Sequence, residues 1–149
     1  MDGMERIMAR LAQNLRRDTR GGAAVEFALL APLYLLMLAG MLAYGLYFGA
    51  SHSLQQLAAD AARISISGLD TAERDKLVRD YLEKNGGAYM LIDAAHLSYA
   101  IGSDPRDGTQ YRVTISYDAV ELPIWNLYPP LPLPSRFLVQ GATIRQGGL

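Results

Sequence analysis

Uncharged residues run without a break from Phe27 to Ala50, 24 positions of which most are Leu, Ala, Tyr and Met. As an α-helix this run is about 36 Å long, more than a hydrocarbon core of about 30 Å. Beyond it, Leu54, Leu57, Ala58, Ala61, Ile64 and Ser65 recur at helical spacing while Gln56, Asp60 and Arg63 take other faces. One helix over about 22–66 is therefore predicted, membrane-spanning over about 27–50 and continuing into a soluble domain. Pro32 falls early in it and predicts a kink or a local opening of the hydrogen-bond ladder.

Gly68 interrupts this helix, and Asp70-Thr-Ala-Glu73 has the form of a capping box opening a second, charged helix. Leu77, Val78, Tyr81 and Leu82 would face inward, and Asn85-Gly86-Gly87 is a stop signal. The pattern then changes to alternation. His96–Ile101, Tyr111–Tyr117 and Phe137–Arg145 read as strands, with Asp104–Gly108 as a hairpin loop between the first two. The predicted class is α+β: a long N-terminal helix, a second short helix and a small antiparallel sheet of about three strands. The organisation is a basic segment over 1–21, the hydrophobic helix over 22–66 and a folded extracytoplasmic domain over 67–149.

Leu122–Ser135 carries five prolines and the only tryptophan, so it cannot be a central strand. Two readings stay open. Trp125, Leu127 and Tyr128 either tuck onto the sheet or form an apolar contact surface for a partner subunit or the outer membrane leaflet.

Charge orients the chain. Residues 1–20 are net +2, with Arg16, Arg17 and Arg20 just outside the run, and the first basic residue beyond it is Arg63. An N-terminus in the cytoplasm and a translocated C-terminal domain follow, with Tyr44, Tyr47 and Phe48 at headgroup level. A cleaved secretory signal fits poorly, because its apolar stretch is normally 7–15 residues and Gly49-Ala50-Ser51 is a weak cleavage match.

The overall charge of -1 argues against nucleic acid as a partner. With no cysteine, disulfides, thiol catalysis and Cys-ligated metals are excluded. His52 and His96 stand in no metal-ligand spacing, and no phosphate loop or nucleophile elbow is present, so no cofactor, metal or enzymatic activity is expected. Asp104 and Asp107 lack the spacing of a calcium loop and read as turn residues.

Glu26 is the charge next to the apolar run. A carboxylate in a bilayer costs a few kcal/mol at the centre and less near the interface, and it marks a functional candidate. A plainer reading is a first-turn glutamate favoured by the helix dipole. Arg20-Gly-Gly-Ala-Ala-Val-Glu-Phe-Ala-Leu-Leu-Ala-Pro32, with Ala-Ala-Asp-Ala-Ala-Arg63 further on, resembles the start of TadE-like minor pilins, also called pseudopilins, of tight-adherence type IV pili. The resemblance covers about residues 16–63. It implies a leader over 1–21 removed by a membrane prepilin peptidase between Gly21 and Gly22, with Glu26 and Phe27 as assembly residues. It also implies other pilins and pseudopilins and an inner-membrane assembly platform as partners. The chain would then be a single-pass bacterial inner-membrane protein with a periplasmic domain, able to enter an extracellular pilus.

After such cleavage the new α-amino group and Glu26 stand four positions apart, close enough on a helix to interact. Gly45 and Gly49, and Ala39 and Ala43, repeat the small-xxx-small spacing that lets membrane helices approach closely. The alternative is a membrane-anchored periplasmic binding or accessory module that keeps its leader.

Overall fold

The computed structural model describes Met4, residues 20–126 and residues 132–145. Five principal elements follow in order: α1 (Arg20–Ile64), α2 (Thr71–Asn85), β1 (Leu97–Asp104), β2 (Asp107–Asp118) and β3 (Phe137–Arg145). The chain divides into two compact units, 1–40 and 41–149, so the folded domain takes in the last ten residues of the uncharged run. The α+β class, the two helices and the three antiparallel strands agree with the pattern of apolar positions.

α1 is 45 residues long and continues through Pro32. It starts at Arg20, ahead of the expected 22, and ends in a single 3-10 turn over Ser65–Ser67. In the first unit, all side chains from Gly21 to Leu30 are exposed, and the helix presents Phe27, Leu29, Leu33 and Leu35 openly. Among the described residues, one helix, Gly21–Ser67, is long and apolar enough to cross a membrane.

In the second unit, the face of α1 made by Ala43, Ala50, Leu54, Leu57, Ala58 and Ala61 is buried, and Ser65 of the following 3-10 turn continues it. Four of these are alanines, and small residues let a helix settle close to a sheet. The sheet answers with large ones. β2 lies between β1 and β3, and its Tyr111, Val113, Ile115 and Tyr117 are all buried on one face. The small helix residues and the large strand residues belong to one core cluster. Val78 and Leu82 of α2, Leu138 of β3 and Leu122 and Ile124 after β2 complete the core. Ser65 is satisfied in that core because its hydroxyl donates to the Ala62 carbonyl at 2.6 Å.

Local chemistry sets the element ends. Asp70 caps α2 by accepting from the Glu73 N–H at 2.8 Å. The Glu73 carboxylate reaches back to the Leu69 N–H at 2.7 Å, one residue beyond the cap of a standard capping box. Gly68 is required by space. A Cβ there would come within 2.6 Å of the Arg74 Cγ and 2.7 Å of the Arg74 backbone nitrogen. α2 ends by tightening into a 3-10 turn over Gly86–Ala88, with Gly86 in right-handed geometry.

The β1–β2 hairpin turns at Pro105-Arg106, and both strands extend further into it than alternation alone predicted. Asp104, only 5% exposed, is paired with Arg112 and accepts from the Arg106 N–H at 2.8 Å. Asp107 accepts from the Thr109 hydroxyl and N–H and from the Gln110 amide, and these bonds hold its carboxyl below the usual range. Both aspartates are thus engaged in turn chemistry.

Two tyrosines tie the layers together through carboxylates on the helices. Tyr89, in the loop after α2, donates to Asp60 of α1 at 2.8 Å and receives a bond from Tyr81 of α2 at 2.7 Å. Tyr111 of β2 donates to Asp75 of α2 at 2.6 Å. Burial first, then these bonds, push both hydroxyls well above the ordinary tyrosine value, and burial pushes Tyr117 up as well.

Gly68→Ala is expected to lower stability by about 1–3 kcal/mol through overpacking against helix backbone, read as a lower denaturant midpoint in detergent. Gly141→Ala, whose Cβ would find ordinary contact at 3.5 Å, should stay within about 1 kcal/mol of the parent. The tyrosine links predict alkaline sensitivity. Each folded-state hydroxyl titrates above its unfolded value of about 10, so the stabilisation is complete below pH of about 10. It falls as pH rises further, because the unfolded chain releases protons that the folded chain keeps. Tyr89→Phe and Tyr111→Phe should each cost about 1 kcal/mol at neutral pH and flatten the alkaline decline, measured by unfolding from pH 8 to 12.

Candidate functional site

Two glycines open the N-terminal site. Gly21 and Gly22 lie in the first turn of the described part of α1, exposed, and a Cβ at either would meet nothing within 4 Å. Their backbone is helical. Glycine lowers helix stability by about 1 kcal/mol relative to alanine, so this turn is the easiest part of α1 to unwind.

Glu26 follows one helical turn later, with Phe27 beside it, and both are exposed. Phe27 is 68% exposed, and Val25, Leu29 and Leu30 continue the open apolar surface. Glu26 thus places a carboxylate on an exposed apolar surface. Gly22 and Glu26 are i and i+4, the spacing at which two groups on one helix meet.

The small residues proposed for helix packing divide into two sets. Ala43 is fully buried in the domain core, and Gly49 lies under Leu91, whose Cδ1 would be 3.2 Å from a Cβ at that position. The chain's own fold uses these two. Gly45 is exposed with open space before it, and Ala39 is half-buried in the first unit. Periodicity alone could not separate them, because the covering residues come from distant segments.

The proline-rich segment is partly docked. Leu122 and Ile124 are buried, and Trp125 is half-buried against the core with its indole N–H donated to the Ala119 carbonyl. Its polar atom is therefore satisfied within the fold. Leu127 and Tyr128, grouped with Trp125 as candidate contacts, lie outside the described residues. Farther on, the Tyr44 hydroxyl of α1 donates to the Pro132 carbonyl, and Gln140 of β3 donates to the Ser51 hydroxyl at 2.8 Å. Neither link has a local sequence signal, since each joins residues more than 85 positions apart.

The remaining candidates for chemistry do not converge. His52 is exposed beside Gln56, and His96 sits 3.6 Å from an Asp93 oxygen. Among the described residues no group of three or more His, Cys, Asp or Glu is placed to hold a metal ion. A cavity of about 260 Å³ opens between α2 and the sheet, lined by Leu82, Glu83, Ala94, Leu97, Tyr99 and Ile115, with Glu83 as the one carboxylate among six side chains.

Comparison with known proteins returns the same stretch that carries the N-terminal resemblance. A family model described as TadE-like protein matches residues 21–63. Neither the curated proteins nor the solved structures give a match. The matched segment contains Gly21, Gly22, Glu26 and Phe27 together with most of α1.

Trp125→Ala is expected to lower domain stability by about 2 kcal/mol, the cost of a half-buried ring and its hydrogen bond. Trp125→Phe should cost about 1 kcal/mol, the hydrogen bond alone. Equal stability of all three proteins by chemical unfolding would mean that the ring contributes nothing to the fold.

Proposed function

We propose, from the premise that residues 21–63 form a TadE-like segment, that this chain is a minor pilin that takes part in assembling or priming a tight-adherence type IV pilus. The observation that carries this reading is the coincidence, within the matched segment, of the Gly21-Gly22 pair, Glu26 and an open apolar helix face. A helix that only crosses a bilayer needs neither the glycines nor the carboxylate.

In this reading the chain is held in the inner membrane by α1, with its N-terminus cytoplasmic and its domain periplasmic. A prepilin peptidase unwinds the first turn and cuts between Gly21 and Gly22. Cleavage removes residues 1–21, and with them the arginines that hold the N-terminus at the cytoplasmic face. The new α-amino group is a cation at the end of an apolar helix. Glu26 neutralises it, either four residues along the same helix or on a neighbouring subunit, and this offsets the desolvation of both charges as the helix enters a bundle of pilins. Phe27 and the exposed leucines supply the apolar contact with other pilins and pseudopilins, and the inner-membrane assembly platform is the place where that exchange occurs. The function is structural, leading to surface attachment, and no catalytic step by this chain is invoked.

Two observations favour a second reading. Gly21 and Gly22 are helical, and Ala43 and Gly49 are covered by this chain's own domain. Both suit an anchored periplasmic accessory module that keeps its leader.

Mass spectrometry of the membrane-purified protein separates the two. The proposal expects a mature N-terminus at Gly22 in cells with the peptidase and the full-length chain in cells without it. Gly21→Val should block processing, whereas Glu26→Ala should leave processing intact and abolish recovery of the protein in sheared pili. An intact N-terminus in cells with an active peptidase would leave the accessory module as the answer.

A further inference from the structure

The length of the free apolar helix does not match the membrane it would cross. The uncharged run starts at Phe27, and the folded unit starts at Met41. The intervening residues 27–40 make about 21 Å of helix, short of a hydrocarbon core of about 30 Å. Some 20 residues are needed, which counted from Phe27 reach about Leu46. Met41–Leu46 is thus required in the hydrocarbon, yet Ala43 within it is fully buried in the domain core and Leu46 packs against that core.

The opposite side of these turns is bare and apolar. Met41 is 62% exposed, Leu42 64% and Phe48 62%, with Gly45 open beside them. Tyr44 and Tyr47 contact Phe48 with ring centroids 6.1 and 5.9 Å apart, forming an aromatic cluster suited to headgroup level. At the same place the Tyr44 hydroxyl is bonded to the Pro132 carbonyl. This bond satisfies two polar atoms that would each be costly in hydrocarbon. Pro132 and Pro134 have no N–H to leave unpaired, and Leu133 between them packs on the core. From Leu122 to Ser135 the sequence carries no charge, although Glu121 and Arg136 flank it.

We propose that the exposed side of α1 from Met41 to Phe48, with Pro132–Pro134 pinned beside Tyr44, is immersed in the acyl chains of the leaflet on the domain's side. The folded unit then begins below the headgroups. Lipid is the occupant that the helix length calls for; a neighbouring pilin helix would cover the same surface but would leave the span short. The inference rests on the membrane reading of α1 and goes beyond it, by assigning a membrane-contacting surface to the folded domain.

The absence of cysteine makes single labelling sites straightforward. The full chain carrying Leu42→Cys, Phe48→Cys or Pro132→Cys, with Leu35→Cys and Lys76→Cys as references, is spin-labelled and reconstituted in phosphatidylethanolamine–phosphatidylglycerol vesicles at high lipid excess. Collision with oxygen, which partitions into lipid, is compared with collision with a water-soluble nickel chelate. The expected result is high oxygen and low nickel accessibility at positions 42 and 132, as at 35, with position 48 intermediate and position 76 nickel-accessible. Nickel accessibility at both 42 and 132, with position 35 still lipid-exposed, would overturn the proposal and leave the membrane span standing. Low accessibility to both reagents at 42 and 132 would also overturn it, in favour of a protein partner. Nickel accessibility at position 35 would remove the membrane reading and this inference together.

Discussion

The contact between the alanine-rich face of α1 and the tyrosine-bearing face of β2 is the interaction on which the rest depends. Ala43, Ala50, Ala58 and Ala61 leave room, and Tyr111, Val113, Ile115 and Tyr117 fill it. With no cysteine to form a disulfide staple in a domain of this size, this apolar layer must supply most of the driving force for folding. The same helix carries the run long and apolar enough to cross a membrane, and its later turns are buried in the domain core.

Because the core uses small residues on the helix, the polar links around it matter. Asp60 and Asp75 reach tyrosines from outside their own helices, and the bonds join α1, α2, the loop after α2 and β2. Each carboxylate accepts from a tyrosine hydroxyl whose pKa is raised, first by burial and then by these bonds. They also set how α2 lies on the sheet, which apolar contacts alone specify less sharply.

Function in this chain is distributed along one helix. The N-terminal turns hold the glycine pair and Glu26, the groups that the proposed processing and assembly would use. The middle turns present the exposed apolar side that we assign to lipid. Ala43 is buried in the domain core and Gly49 lies under Leu91, while Gly45 stays open. The position of a small residue relative to the domain thus decides what it meets.

Much of this was legible in the sequence, for a physical reason. Helical and strand periodicities are local properties of residue spacing, so the uncharged run, the buried stripe from Leu54 to Ser65, the Asp70 cap and the β3 boundaries follow from neighbours alone. The Arg-Gly-Gly to Glu-Phe pattern is likewise contiguous, and it carried the TadE-like resemblance that the match over 21–63 returns. Tertiary structure decided what depends on residues far apart. It docked Trp125 on Ala119, joined Tyr44 to Pro132 and Ser51 to Gln140, and covered Ala43 and Gly49. Spacing along a chain encodes which face a residue takes; only the folded chain determines what that face meets.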